Sequence, residues 1–176
     1  PSLLSQEYDP DNKYSIPYMW GGVGLAYNTK YVPESSITSW HDLLKEEFKN
    51  KIILTDDLRD AFGLALKATG HSVNSTDSKA IKDGFDFLSK VKKSVRVFDV
   101  TAIKQALIGE EVWIGPIWNG DFLVAKEEKP ELAFTFPKEG AVLWMDSFVI
   151  PVGAENVENA YAFINYMLRP EVAARC

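Results

Sequence analysis

The sequence predicts an α/β layered domain with a central sheet flanked by helices, and three observations carry that reading. Short apolar runs rich in β-branched and aromatic residues recur along the chain, and amphipathic stretches with helical spacing separate them. Helix signals fall at the ends of those stretches, with Ser39 and Asp77 placed as N-caps and Gly70 and Gly109 as stops. The 176 residues, 46% hydrophobic and 25% charged, have the balance of a globular chain long enough to bury a core.

Taken in order, residues 1–13 are polar and turn-rich and read as an extended lead-in. Tyr14 to Trp20 reads as a strand interrupted by Pro17, and Val23 to Tyr27 resumes it. Gly21, Gly22 and Gly24 between them suggest a bend or a close backbone approach. They form no dinucleotide fingerprint, because no helix follows them. Asn28-Thr29-Lys30 is a turn. Ser39 caps a short helix from Trp40 to Phe48, with Leu43, Leu44 and Phe48 on its buried side. Lys51 to Thr55 is a short buried strand that runs through Asp56 and Asp57 into a helix ending near Thr69. Asp77 caps a longer helix to about Lys92, on which Ile81, Phe85 and Leu88 recur at helical spacing.

Val95 to Phe98 reads as a strand and Thr101 to Ile108 as a helix. Val112 to Trp118 is a strand whose Pro116 demotes it toward an edge or a bulge. A helix from about Asp121 to Glu128 and a strand from Leu132 to Phe136 follow. Glu139 to Pro151 is an apolar strand with one charge, Asp146. Ala154 to Leu168 is an amphipathic helix with Val157, Tyr161, Ile164, Tyr166 and Leu168 apolar, and Glu171 to Cys176 starts another helical turn. The chain has no internal repeat and no low-complexity segment.

Charge and cysteine content narrow the function classes. A net charge of −6 argues against a nucleic-acid partner, which wants a basic face, and suits a cationic ligand. The single cysteine, Cys176, allows neither an internal disulfide nor a cysteine zinc site. His41 and His71 read as surface histidines. No run of about 18 apolar residues exists to span a bilayer. The first residues, Pro-Ser-Leu-Leu-Ser-Gln-Glu, lack the regions of a signal peptide, which does not exclude export. No cofactor is expected.

Three places put polar or aromatic groups at strand ends, where open α/β sheets bind ligands. The first is Asp57 and Asp60, which face one way at helical spacing and are favoured as carboxylates by the helix dipole. The readier explanation is N-capping by Asp56 or Asp57, with Asp60 paired to a nearby Lys or Arg. The second is Trp118, a large ring at a strand end before a polar turn, which also suits a core position. The third is Trp144 with Asp146, two steps apart on one strand face. An indole beside a carboxylate suits a ligand with an ammonium and a hydrocarbon body, although the residues alone favour an edge-strand Asp facing water beside a core Trp. No histidine lies near these groups in the sequence, which argues against a Ser-His-Asp triad. The two Asp could serve as acid and base or hold a divalent cation, and neither task needs the tryptophans.

Several segments occur together in an ordered set: Tyr14-Ser15-Ile16-Pro17-Tyr18-Met19-Trp20-Gly21, Ser39-Trp40, Leu54-Thr55-Asp56-Asp57, Ile117-Trp118-Asn119-Gly120, Pro137-Lys138-Glu139-Gly140 and Trp144-Met145-Asp146-Ser147. In that order and spacing the chain resembles the periplasmic spermidine/putrescine-binding proteins of polyamine ABC importers. The resemblance implies one lobe of a type II periplasmic-binding fold, with residues 1–21 as lead-in and first crossover segment. Residues 22–143 would be the second α/β lobe, and 144–176 the second crossover and the start of a return to a first lobe. It implies a non-enzymatic role in the periplasm, a polyamine ligand and a cognate ABC permease. Asp57 and Asp60 match carboxylates at one amine end, Trp118 and Trp144 match sandwiching indoles, and Asp146 matches an amine-binding carboxylate. A complete family member has about twice this length, so weak polyamine binding and self-association through uncovered faces are expected. The alternatives are a carboxylate-dependent hydrolase using Asp57 and Asp60, or a binder of another cationic solute.

Overall fold

The computed structural model describes residues 3–175, and Cys176 lies outside them. The chain divides into two compact units. The larger is Gly21–Leu143, and the smaller joins the segments before Gly21 and after Leu143. Two strands, β1 (Ile16–Asn28) and β6 (Val142–Phe148), run through both divisions.

The larger unit is built on a mixed sheet. Strands β2 (Ile52–Leu54), β3 (Val95–Phe98), β4 (Ile114–Trp118) and β5 (Leu132–Thr135) join β1 in the order β3-β2-β4-β1-β5, and β6 also pairs with β1. β1 is antiparallel to β4 and β5, whereas β2 is parallel to β3 and β4. Parallel strands need covered faces. Ile53 joins a cluster with Ile103, Leu107, Val112, Ile117 and Ala125, while Ile52 and Leu54, pointing to the other side, are equally buried. The helices accordingly form two groups. α1 (Leu58–Ala68) packs on α2 (Ser78–Val91), and α3 (Ile103–Ile108) packs on α4 (Asn119–Glu128) and on β2 and β4.

The opening glycines make no bend. β1 is continuous over 13 residues, and the glycines serve a close approach instead. A Cβ on Gly24 would stand 2.4 Å from the Phe134 ring and 2.6 Å from the Thr135 carbonyl oxygen of the neighbouring β5. The expected edge position of the Pro116 strand is also corrected, since β4 lies in the middle of the sheet. The ladder phase explains how. Asn28 N–H donates to the Trp113 carbonyl, and pairs alternate from there, so Leu25 and Pro116 face each other as a non-hydrogen-bonded pair. β1 therefore asks no N–H of Pro116.

Two helix readings also change. Trp40 to Phe48 forms two 3-10 turns, Trp40–Leu44 and Glu46–Phe48, instead of one helix. At three residues per turn Leu43 lies under Trp40 and both are buried, whereas Leu44 swings out and is exposed. Ser39 is the N-cap, with Asp42 completing a capping box. On α2 the buried stripe is Ala80, Gly84, Phe87 and Val91, and Ile81 and Phe85 are exposed. Small residues mark the stripe because α1 approaches closely; a Cβ on Gly84 would lie 3.7 Å from Ala65 Cβ.

Glu110 ties three loops together on the surface. It accepts from Lys129 Nζ at 2.6 Å, from Lys30 Nζ at 2.9 Å and from the Tyr31 hydroxyl. Hydrogen bonds from Lys129, Tyr31 and Lys30 lower its carboxyl to about 2.

In the smaller unit the expected extended lead-in is a set of turns around Asp9. Its buried carboxylate accepts from the backbone N–H groups of Lys13, Tyr14 and Ser15 and from Ser15 Oγ, at 2.8–3.0 Å. Burial pushes this carboxyl up, but the four bonds outweigh it and hold it below its usual value. After β6 come α5 (Val157–Met167) and α6 (Pro170–Ala173). No residue of α5 is buried, although Val157, Tyr161, Phe163 and Tyr166 are large and apolar or aromatic.

Candidate functional site

The polar end of β2 builds the first part of the site. Thr55, buried just past the strand, accepts through Oγ1 the backbone N–H of Asp57 at 3.0 Å. Asp56 turns outward and its Oδ1 accepts the Val100 N–H at 2.9 Å, joining the loop after β3. Asp57 is the N-cap of α1, and its Oδ1 accepts the Asp60 N–H at 2.9 Å. The capping explanation of this acidic cluster therefore holds for Asp57.

Asp60 does something else. Among the described residues no Lys or Arg pairs with it. Its Oδ2 accepts the indole Nε1–H of Trp118 at 2.9 Å, across 58 residues of sequence. Trp118 ends β4, and the chain passes from it straight into α4 without the expected polar turn. Asn119, the first residue of α4, holds β1 by accepting the Gly22 N–H through Oδ1 at 2.9 Å. Asp60 and Trp118 line a crevice of about 10 Å³ with Thr55, Val100, Ile103 and Asp121, room for about one water-sized group.

Burial pushes the Asp60 carboxyl above its usual value; the Trp118 N–H opposes this, and the neighbouring Asp57 charge adds to it. The dipole argument from the sequence, which favoured an ionised Asp60, is thus outweighed by loss of water. A cation brought to Asp60 would restore the balance by supplying the missing opposite charge.

Trp144 and Asp146 lie on β6 in the smaller unit. Asp146 is exposed, and among the described residues its carboxylate has no hydrogen bond or ion pair. Trp144 is half-buried, with its Nε1 shielded from water and without an acceptor. The structure thus brings Asp57, Asp60 and Trp118 together in one unit and stands Trp144 near Asp146 in the other. Sequence reasoning missed Thr55, Asn119 and Asp121. The Thr-x-Asp step was a legible turn signal, whereas Asn119 and Asp121 are placed only by the sheet. Among the described residues no group of three or more His, Cys, Asp or Glu is arranged to hold a metal ion. Among the described residues no helix is long and apolar enough to cross a membrane.

Comparison with known proteins adds identity to geometry. A family model described as bacterial extracellular solute-binding protein matches residues 1–175. The spermidine/putrescine-binding periplasmic protein of Salmonella typhimurium is 41% identical over 173 residues, which are 98% of this chain and 50% of that one. Spermidine/putrescine-binding periplasmic protein 1 of Haemophilus influenzae is 42% identical over 175 residues, covering 99% and 49%. Among solved structures, the spermidine/putrescine ABC transporter substrate-binding protein of Streptococcus pneumoniae superposes with a TM-score of 0.86 at 39% identity, covering 99% of this chain and 54% of that one. The chain spans about half the length of the curated relatives it matches.

Proposed function

The chain belongs to the bacterial extracellular solute-binding protein family, and from that premise we propose that it carries about half of a polyamine-binding cleft and performs capture without chemistry. The single observation that carries the reading is the Asp60–Trp118 pair, a half-buried carboxylate set against an indole at a strand end. That combination suits an ammonium on a methylene chain: the carboxylate meets the charge, and the ring covers the hydrocarbon. Asp57, one turn away, adds negative charge while it caps α1. Trp144 and Asp146, in the smaller unit, offer an indole and a carboxylate of their own. Residues 22–143 are then the second lobe, with 1–21 carrying the first crossover and 144–176 the second. The site of action is the periplasm, and the partner is an ABC permease that receives the spermidine or putrescine.

Titration of the chain with putrescine, spermidine and 1,4-butanediol, read by tryptophan fluorescence, tests this. The two polyamines should change the emission with affinities on the order of 1 mM, since the chain spans about half the length of the curated relatives it matches. The uncharged diol should not. Equal responses to diamine and diol would sink the polyamine reading, and micromolar affinity would sink the half-cleft. Steady release of a product from acylated or glycosylated amines would favour the hydrolase.

A further inference from the structure

A ring at the end of a strand is not oriented by the ladder, and Trp118, 37% exposed, is not oriented by close packing on all sides. One bond gives it a direction. Its Nε1–H can only donate and the Asp60 carboxylate can only accept, so their 2.9 Å contact has one polarity and is charge-assisted. Asp60 is itself held. Its backbone N–H is fixed by Asp57 at 2.9 Å, and the Asp57 N–H is fixed by Thr55 at 3.0 Å. The relay Thr55–Asp57–Asp60–Trp118 therefore locks the end of β2, the first turn of α1 and the end of β4 to one another.

We propose that Asp60 is a positioning residue for Trp118, setting the ring as a wall of the crevice before any ligand arrives. Its Oδ1, which accepts no hydrogen bond among the described residues, is left to face a cation. A ring already held in place spares the ligand the cost of ordering it. The value of this to ligand capture rests on the polyamine reading, but the positioning of the ring does not.

The test needs no ligand, so it can fail independently of that reading. The five tryptophans give five indole signals in a spectrum of the chain labelled with ¹⁵N at tryptophan. Trp118→Phe identifies the Trp118 signal by its loss. Asp60→Asn keeps an oxygen that accepts the indole N–H and should leave that signal near its place. Asp60→Ala removes the acceptor, so the signal should shift and exchange with water roughly tenfold faster or more, while the other four stay put. If the other four also move in Asp60→Ala, Asp60→Ser is used instead, being too short to reach the ring, with the same expectation. An unmoved Trp118 signal without the acceptor overturns the proposal. So does an Asp60→Asn signal displaced as far as that of Asp60→Ala.

Discussion

Asp57 and Asp60 are three residues apart with the same side chain, yet their surroundings give them different work. Asp57 caps a helix in the open. Its replacement by Ala should lower stability by about 1 kcal/mol, whereas Asn, which also caps, should keep stability within a few tenths. Urea unfolding separates the two. If Asp57 also serves a cation, Asp57→Asn should weaken the polyamine response without the loss of stability. For Asp60 the folded carboxyl is raised, so its contribution to stability is largest below the ordinary aspartate value of 3.8 and is lost as pH rises through the folded value. Asp60→Asn should therefore melt higher than the unmodified chain at pH 7, and the difference should vanish below pH about 3.8. Glu110 has the opposite sign. Its carboxyl is depressed from 4.5 to about 2, so its contribution is present above 4.5 and is lost as pH falls toward 2. Glu110→Gln should lower the melting temperature at neutral pH, and the deficit should close over that acidic window.

Elements were legible where their own residues set them. The caps Ser39 and Asp77, the stop at Gly70 with φ of 79°, and the strands at Ile52 and Val95 follow from local chemistry. Their partners were not legible. Pro116 looks like an edge signal until the register shows that it stands in a non-hydrogen-bonded pair with β1. The α2 stripe was hidden because half of it is the small Ala80 and Gly84, which carry little apolar signal beside Phe87 and Val91, while the larger Ile81 and Phe85 are exposed. Close approach matters most at Gly24. Gly24→Ala puts a methyl against the Thr135 backbone, which cannot swing aside as a side chain can, and should cost about 1–3 kcal/mol in denaturant unfolding.

At the scale of the whole chain, the two units differ in what they bury. The larger contains Trp40, Phe48, Ile53, Leu64 and Leu107, all essentially without exposure, while α5 of the smaller unit buries nothing. Amide hydrogen exchange should reflect this, with β2, β4 and α1 protected to near the global unfolding limit and α5 exchanging far faster. Large side chains also surround a cavity of about 620 Å³ in the smaller unit, among them Tyr14, Phe148, Ile150, Tyr161 and Leu168. Apolar surface of this kind favours association. Light scattering should show mass rising with concentration, and a clean monomer at high concentration would count against it.

By itself the sequence determined the α/β class, the element order, the caps and the types of residue in the site, because propensity, periodicity and capping act over a few neighbours. It also supplied the ordered aromatic and acidic segments from which the family resemblance follows. The tertiary structure decided which groups meet. Asp60 finds the Trp118 indole only because β2 and β4 lie side by side in the sheet. Burial raises its carboxyl, and the crevice it lines is shared with Val23, Ile103 and Ile117, residues remote in sequence. Desolvation is a property of everything packed around a charge, and no run of neighbouring letters contains it.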